Sequence, residues 1–458
     1  MQDLTQGSIA RHIVRLAAPM AAGMIIQTAY VMIDLFFVSR LGDAVIAGVL
    51  SAGNIQFIVL ALTQMLGVGT MVLISHAAGR KDQADANMIF NQGLLIALAC
   101  TIVTLVAGYS LASTYMRVVG ADPATMAVGV TYLKWYLPGL AGQFALTTMG
   151  SALRGTGIAK PTMVVQILTV VMNAILAPIL IAGWGTHHPF GVAGAGLSTS
   201  ISVVLGTLMM FAYFVKKEKY VTFEAHLFHA RMVEWKRILR LGLPAGGEFA
   251  LMFFMIGVMY FIIRNFGAHA QAGYGIGSRV MQAIFLPAMA VAFAAAPIAG
   301  QNVGAGMPHR ARETFKKAVM IGSGLMLALT ILCQMRADLL VSPFTPDPAA
   351  IAVGADYLRI ISLNFVASGI IFTCSGMFQA LGNTVPSLLS SATRLITFIA
   401  PALWLSHQPN FELRQLWYLS AVTVYLQTAT SVWLLYREFR RKQTAADFAK
   451  PASSPVPA

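Results

Sequence analysis

Two carboxylates in this chain stand where water is scarce. Of its 17 acidic residues, only Asp34 and Glu248 fall inside long apolar runs, with Asp356 at the mouth of another. A carboxylate at the centre of a membrane costs about 2.5–3.5 kcal/mol on insertion scales, so such a group is a functional hypothesis by default. In the run AYVMIDLFF, Tyr30 and Asp34 are four residues apart and share a helix face, which lets a phenol hydrogen-bond the carboxyl and steady it. Loss of water favours the neutral carboxyl, so Asp34 reads as a group that loads and releases a proton. Glu248, four residues after Pro244, is a second carboxylate that would attract organic cations or carry another proton. Its bland alternative is a hydrogen bond between helices.

Neutral polar residues can complete a network around such an acid. Asn173 and Thr199 each sit on a long apolar stretch, although a lone residue of this kind more often makes an interhelical contact. With Tyr30 and Asp34 they form the candidate proton-coupling set, while Glu248 is the candidate for a substrate cavity. Two cations, Arg279 and Arg394, are as costly in apolar runs as the acids, and Arg279 is a candidate charge partner for one of them. Pro19 and Pro244 lie early in apolar runs, where a missing backbone donor permits a kink, and are hinge candidates. The run GVAGAG at 191–196 looks like a phosphate loop only superficially, since no strand precedes it; close helix packing explains it better. Catalytic signals are not found. None of the nine His lies deep in an apolar run, His187 and His188 have no partners at metal-ligand spacing, and no nucleophile-and-base pair is evident. We therefore expect no enzyme activity, no metal site and no cofactor.

The elements that must position these residues follow from composition. The chain has 458 residues, 57% hydrophobic and 10% charged, where a globular domain carries about 25% charged residues. With a mean hydropathy of +0.71, one membrane-embedded helical body is expected, because every backbone group must be satisfied internally in lipid. Twelve apolar stretches of bilayer length lie near 13–37, 45–73, 88–112, 126–150, 161–183, 191–215, 241–263, 270–298, 318–335, 352–378, 385–405 and 416–436. The formal charge of +14 does not signal nucleic acid, since basic residues gather in alternate loops. Arg80, Lys81, Arg154, Lys216, Lys217, Arg231, Lys236, Arg310, Arg312, Lys316, Arg440 and Arg441 fall on one side; only Arg40, Arg117, Arg264, Arg336 and Arg414 fall on the other. The positive-inside rule makes the first side cytoplasmic and places both termini there. Cys100, Cys333 and Cys374 lie in apolar runs and imply no disulfide framework. The N-terminal stretch lacks the small-residue site of a cleavable signal and runs directly into a span, so a mature start is expected.

A duplication organises the spans. At an offset of 225 residues, Arg15-Leu16 meets Arg240-Leu241, Pro19 meets Pro244, Gly42 meets Gly267 and Gly79 meets Gly304. Asp122-Pro123-Ala124 meets Asp347-Pro348-Ala349, Tyr132-Leu133 meets Tyr357-Leu358, and Gly157 and Pro161 meet Gly382 and Pro386. Lys134 meets Arg359, which favours a shared structural or lipid-facing role for both. The expected domains are a six-helix lobe at 1–215, a cytoplasmic loop at 216–239, a second six-helix lobe at 240–436 and a disordered tail at 437–458. An even number of spans per copy makes the repeats parallel, an arrangement that typically forms a cavity exposed alternately to each side.

The residues quoted above, together with RLAAPM at 15–20, Tyr30 and Asp34 followed by SRLG, SALRGTGIAKP at 151–161, GAGLSTS at 194–200 and PIAGQNVGAG at 297–306, resemble the multidrug and toxic compound extrusion (MATE) transporters, nearest the DinF-like branch. The likeness covers about residues 8–440. It implies an all-α membrane protein of twelve helices in two pseudo-twofold-related lobes. It also implies export of amphipathic, often cationic drugs or metabolites in exchange for protons or sodium, by a monomer integral to the bacterial inner membrane and in contact with its lipids. Asp34 matches the family's first-helix coupling acid, Asn173 its fifth-helix asparagine and Thr199 its sixth-helix threonine. The family's second acid, four residues after the asparagine, is Ala177 here. That favours protons over sodium, because hard cations want several oxygen ligands. In the second lobe Phe378-Gln379-Ala380 replaces the Leu-Arg-Gly of 153–155, and no deep acid is present. The competing readings are a sodium-coupled exporter, a flippase for lipid-linked sugars or metabolites, which would tend to have more spans and a strongly basic cavity, and a membrane receptor or scaffold without transport.

Overall fold

The computed structural model describes the backbone of residues 1–119 and 122–448; the side chains at 29–32, 34, 35, 39, 43, 44 and 443–448 lie outside the described set. Among the described residues all extended secondary structure is helical. The first half holds α1 (Ile9–Val38), α2 (Asp43–Gly53), α3 (Ile55–Gly79), α4 (Gln83–Val119), α5 (Pro123–Gly155), α6 (Lys160–Ala182) and α7 (Val192–Lys216). The second holds α8 (Met232–Ile263), α9 (Ala268–Gly304), α10 (Pro308–Val341), α11 (Pro348–Ser362), α12 (Phe365–Ala380), α13 (Val385–Ser406) and α14 (Leu413–Phe448).

These fourteen helices make twelve spans. The second span is α2 followed by α3, and the tenth is α11 followed by α12, bent by 60°. Among the described residues nine segments are long and apolar enough to cross a bilayer on those criteria alone, or ten with the bent pair. The remaining two, α5 and α14, are 33 and 36 residues long. Their apolar content is diluted by Lys134, Gln143, Thr147 and Thr148 in α5 and by Ser420, Thr423, Gln427 and Thr428 in α14. Large apolar side chains such as Ile102, Val103 and Val106 on α4 point outward at 53%, 64% and 64% exposure, as expected where the solvent is lipid.

The 225-residue repeat is visible in backbone detail. α1 ends in a 3-10 turn at Ser39–Leu41 and α8 in one at Arg264–Phe266, each followed by a glycine at positive φ, Gly42 at 109° and Gly267 at 86°. Asp122 and Asp347 cap α5 and α11 by accepting backbone N–H groups from Thr125 and Ala349. Tyr109 donates to the Lys134 carbonyl at 3.0 Å, and Gln334, its counterpart, donates to the Arg359 carbonyl at 2.6 Å. These bonds repeat between the lobes at the main chain of the two positions, whatever their side chains do.

Contacts divide the chain into two compact units. One comprises Met1–Gln2, Arg15–Ala78 and Asp82–Ile256; the other comprises Asp3–Val14, Gly79–Lys81 and Gly257–Ala458. In the first, α5 and α7 pack through small residues. A Cβ on Gly196 would lie 2.7 Å from the Tyr132 carbonyl oxygen, so GVAGAG is a packing surface. Next to it α5 carries Pro138, and the bond that Gly139 N–H would make to the Trp135 carbonyl is intercepted. Ser200 of α7 accepts from Gly139 N–H at 2.9 Å and donates to the Trp135 carbonyl.

Two expected boundaries move. α8 begins at Met232 rather than near 240, because its first turns are held by polar contacts: Arg237 pairs with Asp85 at 3.0 Å and with Glu234 at 2.5 Å. α14 continues to Phe448, where composition reads disorder from 437. Glu438 and Phe439 are buried at 6% and 3%, and Phe439 meets Phe315 with ring centroids 6.3 Å apart.

Candidate functional site

In the first unit, α1 and α6 run side by side in the same direction. Near their starts Gln2 N–H donates to the Thr156 carbonyl at 2.8 Å, and near their ends Phe37 meets Trp184 with centroids 6.0 Å apart. Between these points Gly23 of α1 abuts Met163 and Gln166 of α6. At 1.5 Å per residue, seven residues beyond Gly23 and seven beyond Gln166 both correspond to about 10 Å. Tyr30 and Asn173 therefore stand at about one level, with Asp34 about one turn nearer the far ends of the two helices. The side chains of Tyr30 and Asp34 lie outside the described residues, and it is their helical backbone that sets this placement.

Asn173 is fully buried, and neither its Oδ1 nor its Nδ2 has a hydrogen-bond partner among the described residues. Each such orphan costs about 1–3 kcal/mol. Thr199, 2% exposed on α7, donates back to the Ala195 carbonyl at 3.2 Å. Ala177, one turn beyond Asn173, is fully buried and supplies no oxygen. Asn173 and Thr199 are thus buried, uncharged polar groups on α6 and α7, and Ala177 adds no side-chain oxygen to them.

Glu248 is half-buried on α8 and belongs to the first unit. There α8 approaches α3 closely, a Cβ on Gly246 falling 2.8 Å from the Ala61 carbonyl oxygen. α1 and α8 continue as helix through Pro19 and Pro244. Arg279 is exposed on α9 and has no carboxylate within ion-pair distance among the described residues; the side chain of Asp34, one of the acids it was expected to pair with, lies outside them.

One constellation escaped sequence reasoning. In the second unit Tyr260, Tyr274, Tyr357 and Trp417 form an aromatic cluster with centroid separations of 4.9–5.6 Å. Arg394 of α13 is within electrostatic reach of Tyr274 and Tyr357. The repeat held a clue: position 394 answers to Thr169 of the first lobe, one turn before Asn173, while Asp34 answers to Met259. Comparable positions in the two lobes therefore carry different chemistry.

The family model described as MatE matches residues 19–179 and again 244–404, two matches related by the same 225-residue offset. Probable multidrug resistance protein YpnP of Bacillus subtilis is 26% identical over 390 residues, covering 83% of this chain and 86% of that protein. Multidrug export protein MepA of Staphylococcus aureus is 25% identical over 394 residues, covering 84% and 86%. A solved structure described as the outward-facing conformation of a multidrug resistance MATE family transporter matches with a TM-score of 0.90 at 24% identity, over 96% of this chain and 98% of that one. The double match over most of both lobes and the shared fold place the chain: it belongs to the MatE family of multidrug and toxic compound extrusion transporters, integral membrane proteins.

Proposed function

We propose that this chain is a secondary active antiporter that exports amphipathic drugs or metabolites in exchange for protons, Asp34 being the proton carrier. The observation that carries the reading is the fully buried amide of Asn173, unpartnered among the described residues, beside the helix that bears Asp34. A carboxyl alternating between neutral and charged forms needs such an adaptable partner, with Tyr30 and Thr199 completing the network. Protonation of Asp34 from outside favours one access state, and its deprotonation inside resets the cycle, with the six-helix lobes at 1–215 and 240–436 as the moving parts and Pro19 and Pro244 as hinges. Glu248 draws cationic substrates. The chain acts as a monomer in the inner membrane with both termini cytoplasmic. Names of relatives such as Multidrug export protein MepA support export as the direction. Protons are favoured over sodium because Ala177 stands where a second carboxylate would be needed.

The energetics suffice. One charge crossing about 150 mV gains about 3.5 kcal/mol, which at 1.4 kcal/mol per decade sustains roughly a 300-fold gradient of a neutral substrate. The test is efflux of an organic-cation dye from proteoliposomes under an imposed pH gradient and then under a sodium gradient. Proton-driven efflux that is lost in Asp34→Asn is the expected result. Sodium-driven efflux, or a mutant at wild-type rate, would overturn the assignment.

A further inference from the structure

Glu218, two residues beyond the end of α7, is 7% exposed, yet among the described residues no lysine, arginine or histidine stands within ion-pair distance of it. Its Oε1 accepts the Tyr220 N–H at 3.0 Å, and no other hydrogen bond reaches the carboxylate among the described residues. The turn that carries it is fixed from several sides. Lys217 N–H and Glu218 N–H both donate to the Tyr213 carbonyl, at 2.8 and 3.2 Å, and Gln83 of α4 donates to the carbonyls of Lys219 and Tyr220 at 3.2 and 3.0 Å. Val221, which follows, is fully buried. A carboxylate taken out of water without a cation is costly, and one held in place by its own turn calls for a cation from elsewhere.

Glu218 lines a cleft of about 360 Å³ together with Gln83, Tyr213, Lys217, Lys219 and Tyr220, all within the first unit. That volume is within the range of small-molecule sites, about 300–1,000 Å³. Charge in the cleft is ordered by depth: the acid is buried, the two lysines are exposed, and the two tyrosines between these extremes are half-buried. A bare anion would meet the glutamate and a bare cation would meet the lysines. A compact cation joined to an anion satisfies both, with phenol rings beside the cation as a favourable surface. The location narrows the choice further. Leu208, Phe211 and Val215 share one face of α7 and are 56%, 49% and 62% exposed, the last of them two residues before Lys217. The cleft therefore opens at the level where hydrocarbon gives way to headgroups.

We infer that this cleft binds a phosphoethanolamine group, its ammonium on Glu218 and its phosphate on Lys217 and Lys219. A primary ammonium brings three N–H donors to an underused carboxylate, and lysines receive phosphate as point charges. The group comes from a membrane phospholipid, whose acyl chains would follow Leu208, Phe211 and Val215, or from a soluble ester; the recognising chemistry is the same. The site is independent of the coupling ion and of the direction of transport. The repeat supplies no second copy, since Gln443 answers to Glu218 at the 225-residue offset.

The test uses the purified full chain in a non-ionic detergent, titrated with dihexanoyl phosphatidylethanolamine, with its choline and glycerol counterparts and with free phosphoethanolamine, occupancy being read by native mass spectrometry. Wild type should bind the ethanolamine lipid roughly tenfold or more tighter than the glycerol lipid, which has no cation, and the choline lipid, whose quaternary cation donates no hydrogen bond. Glu218→Gln keeps an acceptor for the Tyr220 N–H; it should weaken the ethanolamine lipid by about 10- to 100-fold and erase its advantage over the glycerol lipid. Glu218→Asp should restore part of that advantage. The double variant Lys217→Gln/Lys219→Gln should weaken all three lipids. The readout is a ratio between lipids on one protein sample, so a partly misfolded fraction lowers every lipid together and does not imitate loss of the preference. Equal binding of the three lipids by wild type, or an undiminished ethanolamine preference in Glu218→Gln, overturns the site. Free phosphoethanolamine binding as tightly as the lipid supports the site with a soluble ligand, and binding of the lipid alone supports it with a membrane one.

Discussion

Gln92 on α4 offers a direct probe of how the inter-lobe segment is held. The segment 217–231 lies along α4, where a row of carboxamides receives it. Gln83 donates to the carbonyls of Lys219 and Tyr220. Asn87 accepts from Thr222 N–H and Asn91 accepts from Glu224 N–H while donating to the Thr222 carbonyl, as a neighbouring strand would. Gln92, fully buried, makes four bonds: it donates to the carbonyls of Leu227 and His229 and accepts from Arg231 N–H and Trp235 Nε1. In Gln92→Leu all four partners lose their mate. His229 is exposed and Arg231 half-buried, so both recover water, whereas Leu227 is 5% exposed and Trp235 only partly open. Two poorly solvated orphans at about 1–3 kcal/mol each give a loss of about 2–4 kcal/mol once relaxation is allowed. At 1.4 kcal/mol per decade the undocked population rises by about 30- to 700-fold. The segment contains trypsin sites at Lys217, Lys219 and Arg231, so under conditions where opening is fast relative to cleavage the cutting rate should rise by that factor. A rise below about threefold would refute the idea that these carboxamides hold the segment.

Other expectations follow from single contacts. Ser200→Ala frees the Gly139 N–H and the Trp135 carbonyl in a dry interface and should cost about 2–3 kcal/mol, read as a lowered Tm; an unchanged Tm contradicts the bridging role. Asn173→Leu removes two polar atoms orphaned among the described residues, so thermal stability should hold or rise while proton-coupled efflux falls; parallel loss of both would contradict the network assignment. Asp122 is held below the usual carboxylate range by hydrogen bonds from the Thr125 N–H and hydroxyl, and Asp347 by its bond to His269. A depressed carboxyl stabilises the fold above its unfolded value near pH 4 and ceases to do so as pH falls through the folded one. Asp122→Asn and Asp347→Asn should therefore flatten the loss of Tm below about pH 4, and an unaltered acid limb would remove the capping carboxylates from the explanation.

Much of the architecture was legible because membrane folds write it in composition. Apolar length gave the spans, and paired glycines and prolines gave the 225-residue repeat, whose backbone counterparts recur at Gly42 and Gly267. The breaks were not legible. The tenth span divides between Ser362 and Phe365 where the first lobe has Pro138 inside a continuous α5, so the proline that looks like a breaker is bridged by Ser200 and its proline-free counterpart bends. The strapping of 217–231 onto α4 depends on Asn and Gln bonding distant carbonyls, which leaves no local periodicity. Of the candidate site, Asn173 was identifiable as a polar residue on an apolar helix, but its lack of partners among the described residues required coordinates. Arg394 was visible as a costly cation, whereas the aromatic cluster of the second unit is drawn from α8, α9, α11 and α14 and no spacing in the chain reveals it.

The central claim is obligatory exchange of substrate for protons through Asp34. Its most direct measurement is proton movement driven by substrate alone: proteoliposomes carrying a trapped pH-sensitive dye, with no imposed pH or sodium gradient, are given a steep gradient of an exported organic cation. Wild type should move protons opposite to the substrate, at a rate independent of sodium, and Asp34→Asn should move none. Substrate flux without proton movement in wild type, or undiminished proton movement in the mutant, would contradict the account.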